Sequence, residues 1–189
     1  MVSKSDYILK RKFLADISLF KTLNKEIQWE QQYYGNFLNK KPIPRLTCWY
    51  GDKTYSYSGV KNTPIPFTDN ILQIKQEIEN YHSLWHSKSY EYNSCLANLY
   101  RDGKDSVDFH SDDEKELGKY PVIASISFGA KRAFQVRDKI TKELLETIWL
   151  EDGDLIIMLE CFQEKYEHSI PKPKSIINPR INLTFRYIN

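Results

Sequence analysis

Apolar and polar residues alternate one by one near the end of the chain. In NPRINLTFRYIN, Ile181, Leu183 and Phe185 are separated by Arg180, Asn182, Thr184 and Arg186. A period of two marks a β-strand with one buried face. Comparable short runs fill the second half of the chain: SCLANLYR, VIASISFGA, RAFQVRD, ELLETIWL and DLIIMLE. Gly103, Gly118, Gly129, Asp152-Gly153, Pro171 and Pro173 punctuate them. Upstream, TCWYGD and TYSYSG read as short strands broken at Gly51-Asp52.

Helical spacing appears in two earlier places. Leu14, Ile17, Leu19, Phe20, Leu23 and Ile27 predict an amphipathic helix over Leu14 to Gln32, with Asp16 near its start. Ile71, Leu72, Ile74, Ile78 and Tyr81 predict a second from Thr68 to Trp85, capped by Thr68 or Asp69. Between them, QQYYGNFLNKKPIPR reads as a loop or hairpin. Helices followed by a run of antiparallel strands predict an α+β fold: a jelly-roll sheet with N-terminal helices packed on it.

No internal repeat or linker divides the 189 residues, so a single domain is expected. With 13 Tyr and 9 Phe there is ample apolar area for its core. The formal net charge is only +2, which neither announces nor excludes a nucleic-acid partner, because a local patch decides that. The N-terminal stretch MVSKSDYILKRKF lacks the apolar centre of a secretory signal, and no apolar run reaches membrane-spanning length. Cys48, Cys95 and Cys161 are odd in number and widely spaced, which suits a reducing compartment better than a disulfide framework. The expectation is a soluble intracellular monomer, in nucleus or cytoplasm, without membrane contact.

The composition sharpens the question posed by the last strand. Among 27 basic residues lysine dominates, yet the polar face of RINLTFR carries Arg180 and Arg186. Two readings stand: a wet strand face, or the wall of a polar pocket that holds an anion through the planar guanidinium fork. At full extension the two arginines are roughly 20 Å apart at ~3.3 Å per residue, so their side chains must converge inward on a concave sheet.

Upstream, His110-Ser111-Asp112 places an imidazole and a carboxylate two residues apart on an extended segment, pointing the same way. A lone His168 follows much later. Two histidines and one carboxylate make the facial triad of non-haem Fe(II) oxygenases. His82 and His86, four apart near a helix end, have no third ligand candidate nearby and read as surface residues.

The order H-x-D, then His, then R-x-N-x-T-x-R resembles the AlkB family of Fe(II)/2-oxoglutarate-dependent nucleic-acid dealkylases. The resemblance is strongest to the animal homologues 2 and 3, with homologue 2 the nearer. It is carried by PRLTCWYGDKTYSYSG, NLYRDGKDSVDFHSDDEKEL, IASISFGAKRAF and PRINLTFR, over about Pro44 to Ile188. It implies a double-stranded β-helix core over residues 90–189, and an N-terminal helix and nucleotide-recognition lid over residues 1–66. It implies Fe(II) held by His110, Asp112 and His168, with 2-oxoglutarate and O2 as cosubstrates. Asn98, Tyr100, Arg180, Asn182, Thr184 and Arg186 then bind 2-oxoglutarate.

The implied reaction is DNA repair: N-alkyl groups of 1-methyladenine or 3-methylcytosine lesions are hydroxylated and leave as aldehyde. Tyr55 and Tyr57 match positions that contact the flipped nucleotide, and Asp113 and Glu114 positions near a cationic base. Tyr34, before Gly35, stands where a hairpin residue fills the gap left by that base, although the stretch from Gly35 to Pro44 is longer than the pattern. Lys40, Lys41, Arg45, Lys131, Arg132, Lys172 and Lys174 are candidate phosphate contacts. Demethylation of RNA or of single strands only remains open, as does a non-catalytic nucleic-acid-binding role, against which the complete ligand set argues.

Overall fold

The computed structural model describes the chain apart from residues 36–38, 58–59, 85–89, 174 and 176–177, and apart from the side chains of 55–62. Among the described residues fourteen strands and three α-helices, besides a 3-10 turn at Lys115–Leu117, follow in the order β1 (Tyr7–Lys10), α1 (Ser18–Glu26), β2 (Tyr33–Tyr34), β3 (Lys41–Pro42), β4 (Leu46–Gly51), β5 (Tyr55–Tyr57), β6 (Val60–Asn62), α2 (Asp69–Ser83), β7 (Ser94–Tyr100), β8 (Val107–His110), β9 (Ile123–Gly129), β10 (Arg132–Asp138), β11 (Leu144–Leu150), β12 (Leu155–Met158), α3 (Phe162–Lys165), β13 (Tyr166–Ile170) and β14 (Arg180–Arg186). A major sheet has the order β1-β12-β9-β14-β7-β4, and a minor sheet the order β11-β10-β13-β8. From β7 to β14 the chain crosses between the two sheets, with only the β10–β11 hairpin staying in one, and every pairing in both sheets is antiparallel. That connectivity is a jelly roll, as the strand pattern predicts.

The alternation in β14 sorts the molecule into two cores. Ile181, Leu183 and Phe185 face the helix side, with Ala124, Ile126 and Phe128 of β9 and Ile71, Ile74 and Ile78 of α2. The second cluster lies between the sheets and includes Leu96, Tyr100, Phe134, Val136, Ile156 and Met158. The polar face of β14 points into that second space. Arg180, Asn182, Thr184 and Arg186 are all buried, so this face is not the wet side of a strand.

Helix α2 starts where the pattern places it: Thr68 Oγ1 accepts the Ile71 N–H at 3.3 Å. Helix α1 is shorter than its apolar period predicts. Asp16 accepts from the Ser18 N–H and hydroxyl, Leu14 N–H is engaged by the Gly153 carbonyl, and Ile27 is already extended. Leu14 and Ile27 are therefore packed against the core from loops, which local spacing cannot distinguish from a helix. His82, expected at the surface, is fully buried and stacks on Tyr90 at 4.2 Å between ring centres; His86 lies outside the described residues.

Within the first 66 residues, β1 and β4 pair with β12 and β7 at the two edges of the major sheet. Among the described residues, the β2–β3 and β5–β6 hairpins alone stand apart as two-stranded sheets. No helix among the described residues is long and apolar enough to cross a membrane.

Candidate metal centre

Strand register brings the distant histidines together. His110 ends β8 and pairs directly with His168 of β13. Their ring centres are 4.3 Å apart. Asp112 follows just beyond the strand, its Oδ1 3.5 Å from His110 Nε2. One ligand atom from each of His110, Asp112 and His168 lies within 4.8 Å of the others. This is the only such His, Cys, Asp and Glu cluster among the described residues.

The surroundings fix the protonation states that a cation needs. Burial alone raises the Asp112 carboxyl, but Arg186, then His110 and His168, hold it far below the usual carboxylate range. Arg186 Nη2 donates to Asp112 Oδ2 at 2.7 Å. Burial, reinforced by His110 and Arg186 against the opposing pull of Asp112, pushes the His168 imidazole down to about 3. At neutral pH the cluster thus offers a charged carboxylate and a neutral His168 ring, the donor set of a divalent metal. His110 Nδ1 lies 2.8 Å from the Asp108 carbonyl, which orients its ring.

A cavity adjoins the cluster, lined by Asn98, Tyr100, Ser125, Arg180, Asn182, Thr184 and Arg186 together with all three candidate ligands. Its floor is a hydrogen-bonded ladder. Arg180 Nη2 donates to Ser127 Oγ, Asn182 Nδ2 to Ser125 Oγ and the Ile126 carbonyl, and Thr184 Oγ1 to Asn182 Oδ1. Asn98 Oδ1 accepts from Arg45 Nε at 2.9 Å. The guanidinium carbons of Arg132 and Arg180 each lie 5.3 Å from the Tyr100 ring centre.

Arg180 is the test of whether an anion fits here. It is 1% exposed and makes no ion pair among the described residues, and its Nε and Nη1 have no hydrogen-bond partner. Burial lowers its guanidinium to about 10, so it stays charged at neutral pH. A buried cation without a counter-charge is costly, and a carboxylate-bearing ligand satisfies it.

Beyond the cluster lies a groove of about 430 Å³. Tyr34, Pro44, Arg45, Asp108, His110 and Lys172 line it, and the two spaces share Arg45, Val107 and His110.

The other sequence-derived candidates fall in several places. Tyr34 is on the groove and half exposed. The backbone of Tyr55 and Tyr57 forms β5, while their side chains lie outside the described residues. Asp113 is bound by Lys139 Nζ at 2.7 Å, and neither it nor Glu114 lines the groove. Two expected phosphate contacts are instead internal. Arg45 donates to Asn98 and the Ser106 carbonyl, and Arg132 to the Asp105 and Pro171 carbonyls. Their burial, 6% and 1% exposed, removes them from the surface. Lys40, Lys41 and Lys131 are exposed, Lys131 paired with Glu151, and Lys174 lies outside the described residues.

Residues 8–186 match the sequence profile of the 2OG-Fe(II) oxygenase superfamily. The bovine protein named DNA oxidative demethylase ALKBH2 is 34% identical over 97% of this chain and 68% of its own length. The chain belongs to the AlkB family. The human alpha-ketoglutarate-dependent dioxygenase alkB homolog 3 is 42% identical over 99% of this chain, which spans 63% of that protein. Identity is thus higher to homologue 3 than to homologue 2, the reverse of the order that the motifs suggested. The solved structure of OsALKBH1 superposes with a TM-score of 0.67 at 18% identity, covering 98% of this chain and all of its own, and shares the fold. AlkB membership brings Fe(II), 2-oxoglutarate and O2 as cofactor and cosubstrates, and among the described residues His110, Asp112 and His168 form the one cluster that could hold a metal ion.

Sequence reasoning missed several parts of this site. Ser125 and Ser127 sit in ASISFG, where an alternating strand explains them fully. Arg45 and Gln163 reach the site only through tertiary contacts.

Proposed function

We propose that this chain is an oxidative nucleic-acid dealkylase that removes N-alkyl groups from 1-methyladenine and 3-methylcytosine type lesions in DNA. One observation carries the reading: the His110, Asp112, His168 cluster and the unpaired cation Arg180 line a single cavity that shares residues with a groove large enough for a base. The names of the ALKBH2 relatives, DNA oxidative demethylases, point to the same substrate class.

In this reading His110, Asp112 and His168 hold Fe(II). Arg180, backed by Ser127 and Tyr100, takes the far carboxylate of 2-oxoglutarate. Arg186 fixes Asp112 at the near end. Asn98, Asn182 and Thr184 form the polar wall between. When bound, Fe(II), 2-oxoglutarate and O2 supply the oxidation that hydroxylates the alkyl carbon, and the resulting hemiaminal loses an aldehyde to restore the base. The protein's share is orientation and exclusion of water from the buried wall.

A base within a duplex cannot reach a centre this deep, so it must leave the stack. The groove beside His110 receives it. The β2–β3 and β5–β6 hairpins serve as the recognition lid, with Tyr34 at the rim and Tyr55 and Tyr57 on the second hairpin. Asp113 and Glu114, next to the ligand segment, favour a cationic base through the local field rather than by contact. Lys172, Lys40 and Lys41 supply sequence-independent phosphate contacts.

The test is mass spectrometry of DNA and RNA oligonucleotides bearing 1-methyladenine or 3-methylcytosine, single- and double-stranded, after incubation with Fe(II), 2-oxoglutarate and ascorbate. Loss of the methyl group from DNA supports the reading. Conversion of RNA alone would reassign the substrate, and no conversion of any arm would contradict the reaction.

A further inference from the structure

Asp112 reaches the metal cluster from outside regular structure. Strand β8 ends at His110, and residues 111–114 form no ladder, so the Asp112 N–H has no strand partner. Asp112 is 0% exposed, so water does not satisfy that donor either. The acceptor is a side chain: Gln163 Oε1, at 3.0 Å.

Gln163 is itself buried, 2% exposed, in the short α3 that leads into β13 and His168. Its other end is also fixed, since Nε2 donates to Met158 Sδ at 3.4 Å, and Met158 lines the cavity beside the cluster. The same chain segment holds the residue between the two upstream ligands, because Ser111 Oγ donates to the Tyr166 carbonyl at 2.9 Å. On the outer side, Lys139 Nζ binds the Gln163 carbonyl at 3.0 Å and Asp113 Oδ2 at 2.7 Å.

We propose that Gln163 is a positioning residue for the metal centre. It ties the irregular ligand segment Ser111–Asp112 to the segment that carries His168, and so sets the carboxylate relative to both imidazoles. The direction of a carboxylate follows from its backbone. A segment held by no ladder would otherwise be free to rotate, and the Asp112 N–H would be left buried without an acceptor. Partners outside the ligand set commonly shift metal affinity ten- to a hundredfold through such orientation. The proposal rests on the reading that His110, Asp112 and His168 hold a metal.

The test uses the full chain with Gln163→Met, which keeps length and removes the acceptor, and Gln163→Glu, which keeps an oxygen at that place. Co(II) affinity is measured by chelator competition, and coordination geometry by the visible absorption of the Co(II)-loaded protein. Q163M is expected to bind Co(II) at least about tenfold more weakly, with altered band intensities, and Q163E to recover most of the affinity and the wild-type spectrum. Wild-type affinity and spectrum in Q163M would overturn the proposal. So would a Q163E as defective as Q163M, which would mark position 163 as packing only.

Should Q163M not fold, Lys139→Met releases the outer hold on the same segment. It is expected to lower Co(II) affinity several-fold, and an unchanged affinity would count against the proposal. Failure of the wild type to bind Co(II) would overturn the metal assignment itself, and this proposal with it.

Discussion

Arg186 and Asp112 form an ion pair of 2.7 Å in which the side chains are 4% and 0% exposed. The pair joins β14 of the major sheet to the segment that follows β8 of the minor sheet, so the wall of the cavity and the candidate His110, Asp112, His168 cluster are one electrostatic unit. Removing one partner of a buried pair strands the other charge. Arg186→Met is expected to destabilise the metal-free protein by about 3 kcal/mol in urea unfolding. The loss should be smaller with metal bound, because the cation then compensates Asp112.

The His168 ring gives the metal-free protein a pH dependence of definite sign. In the unfolded chain the imidazole takes up a proton near pH 6.5, whereas in the fold burial, then His110 and Arg186, hold it down to about 3. Between those values the unfolded state binds more protons, so stability falls as pH drops through that window, by up to about 1.4 kcal/mol per pH unit. Thermal unfolding of chelator-treated protein from pH 7.5 to 5 measures this. His168→Gln, which has no proton to gain, should flatten the curve.

Among the described residues, nothing hydrogen-bonds Nε or Nη1 of Arg180, which lies in the wall of the cavity. Its planar fork can engage a carboxylate through two parallel bonds, and an ammonium cannot. Titration of 2-oxoglutarate into Mn(II)-loaded protein should show Arg180→Lys binding weaker by on the order of tenfold, and Arg180→Met weaker still. Metal affinity should change little, since Arg180 touches Ser127 and Tyr100 rather than a ligand.

Tyr34 is 48% exposed on a two-residue hairpin strand at the edge of the groove. A side chain there can occupy the space of a displaced base and offset part of the unstacking cost. Tyr34→Ala is expected to lose activity on double-stranded oligonucleotides by about tenfold, on the scale of a few kcal/mol for an unstacked step, while retaining it on single strands. Equal losses on both would remove the wedge role.

The sequence exposed those features that depend on local period. RINLTFR announces a strand with a separate polar face, and H-S-D places two candidate ligands on one side of an extended segment. What it could not show is which face meets water. In β14 both faces are buried, one under helices and one inside the barrel, because a second sheet closes over the polar side. The pairing of His110 with His168 is a matter of register between strands far apart in the chain. Arg45 and Arg132 read as surface cations because nothing local signals that their donors satisfy the carbonyls of Ser106, Asp105 and Pro171. Gln163 looks like a polar residue in a turn, and its hydrogen bond from the buried Asp112 N–H is a contact between distant segments. Strand β1, in the lysine-rich stretch SDYILKRK, shows no alternation and is defined by its pairing with β12.

The central claim is that this His, Asp, His cluster and the Arg180 cavity together oxidise an alkylated base. The most direct measurement is the release of formaldehyde and succinate from a 3-methylcytosine oligonucleotide supplied with Fe(II), 2-oxoglutarate and O2. Equimolar release by the wild type, lost in His110→Ala, is the predicted result. Undiminished release by His110→Ala, or succinate without formaldehyde on every alkylated oligonucleotide, would contradict it.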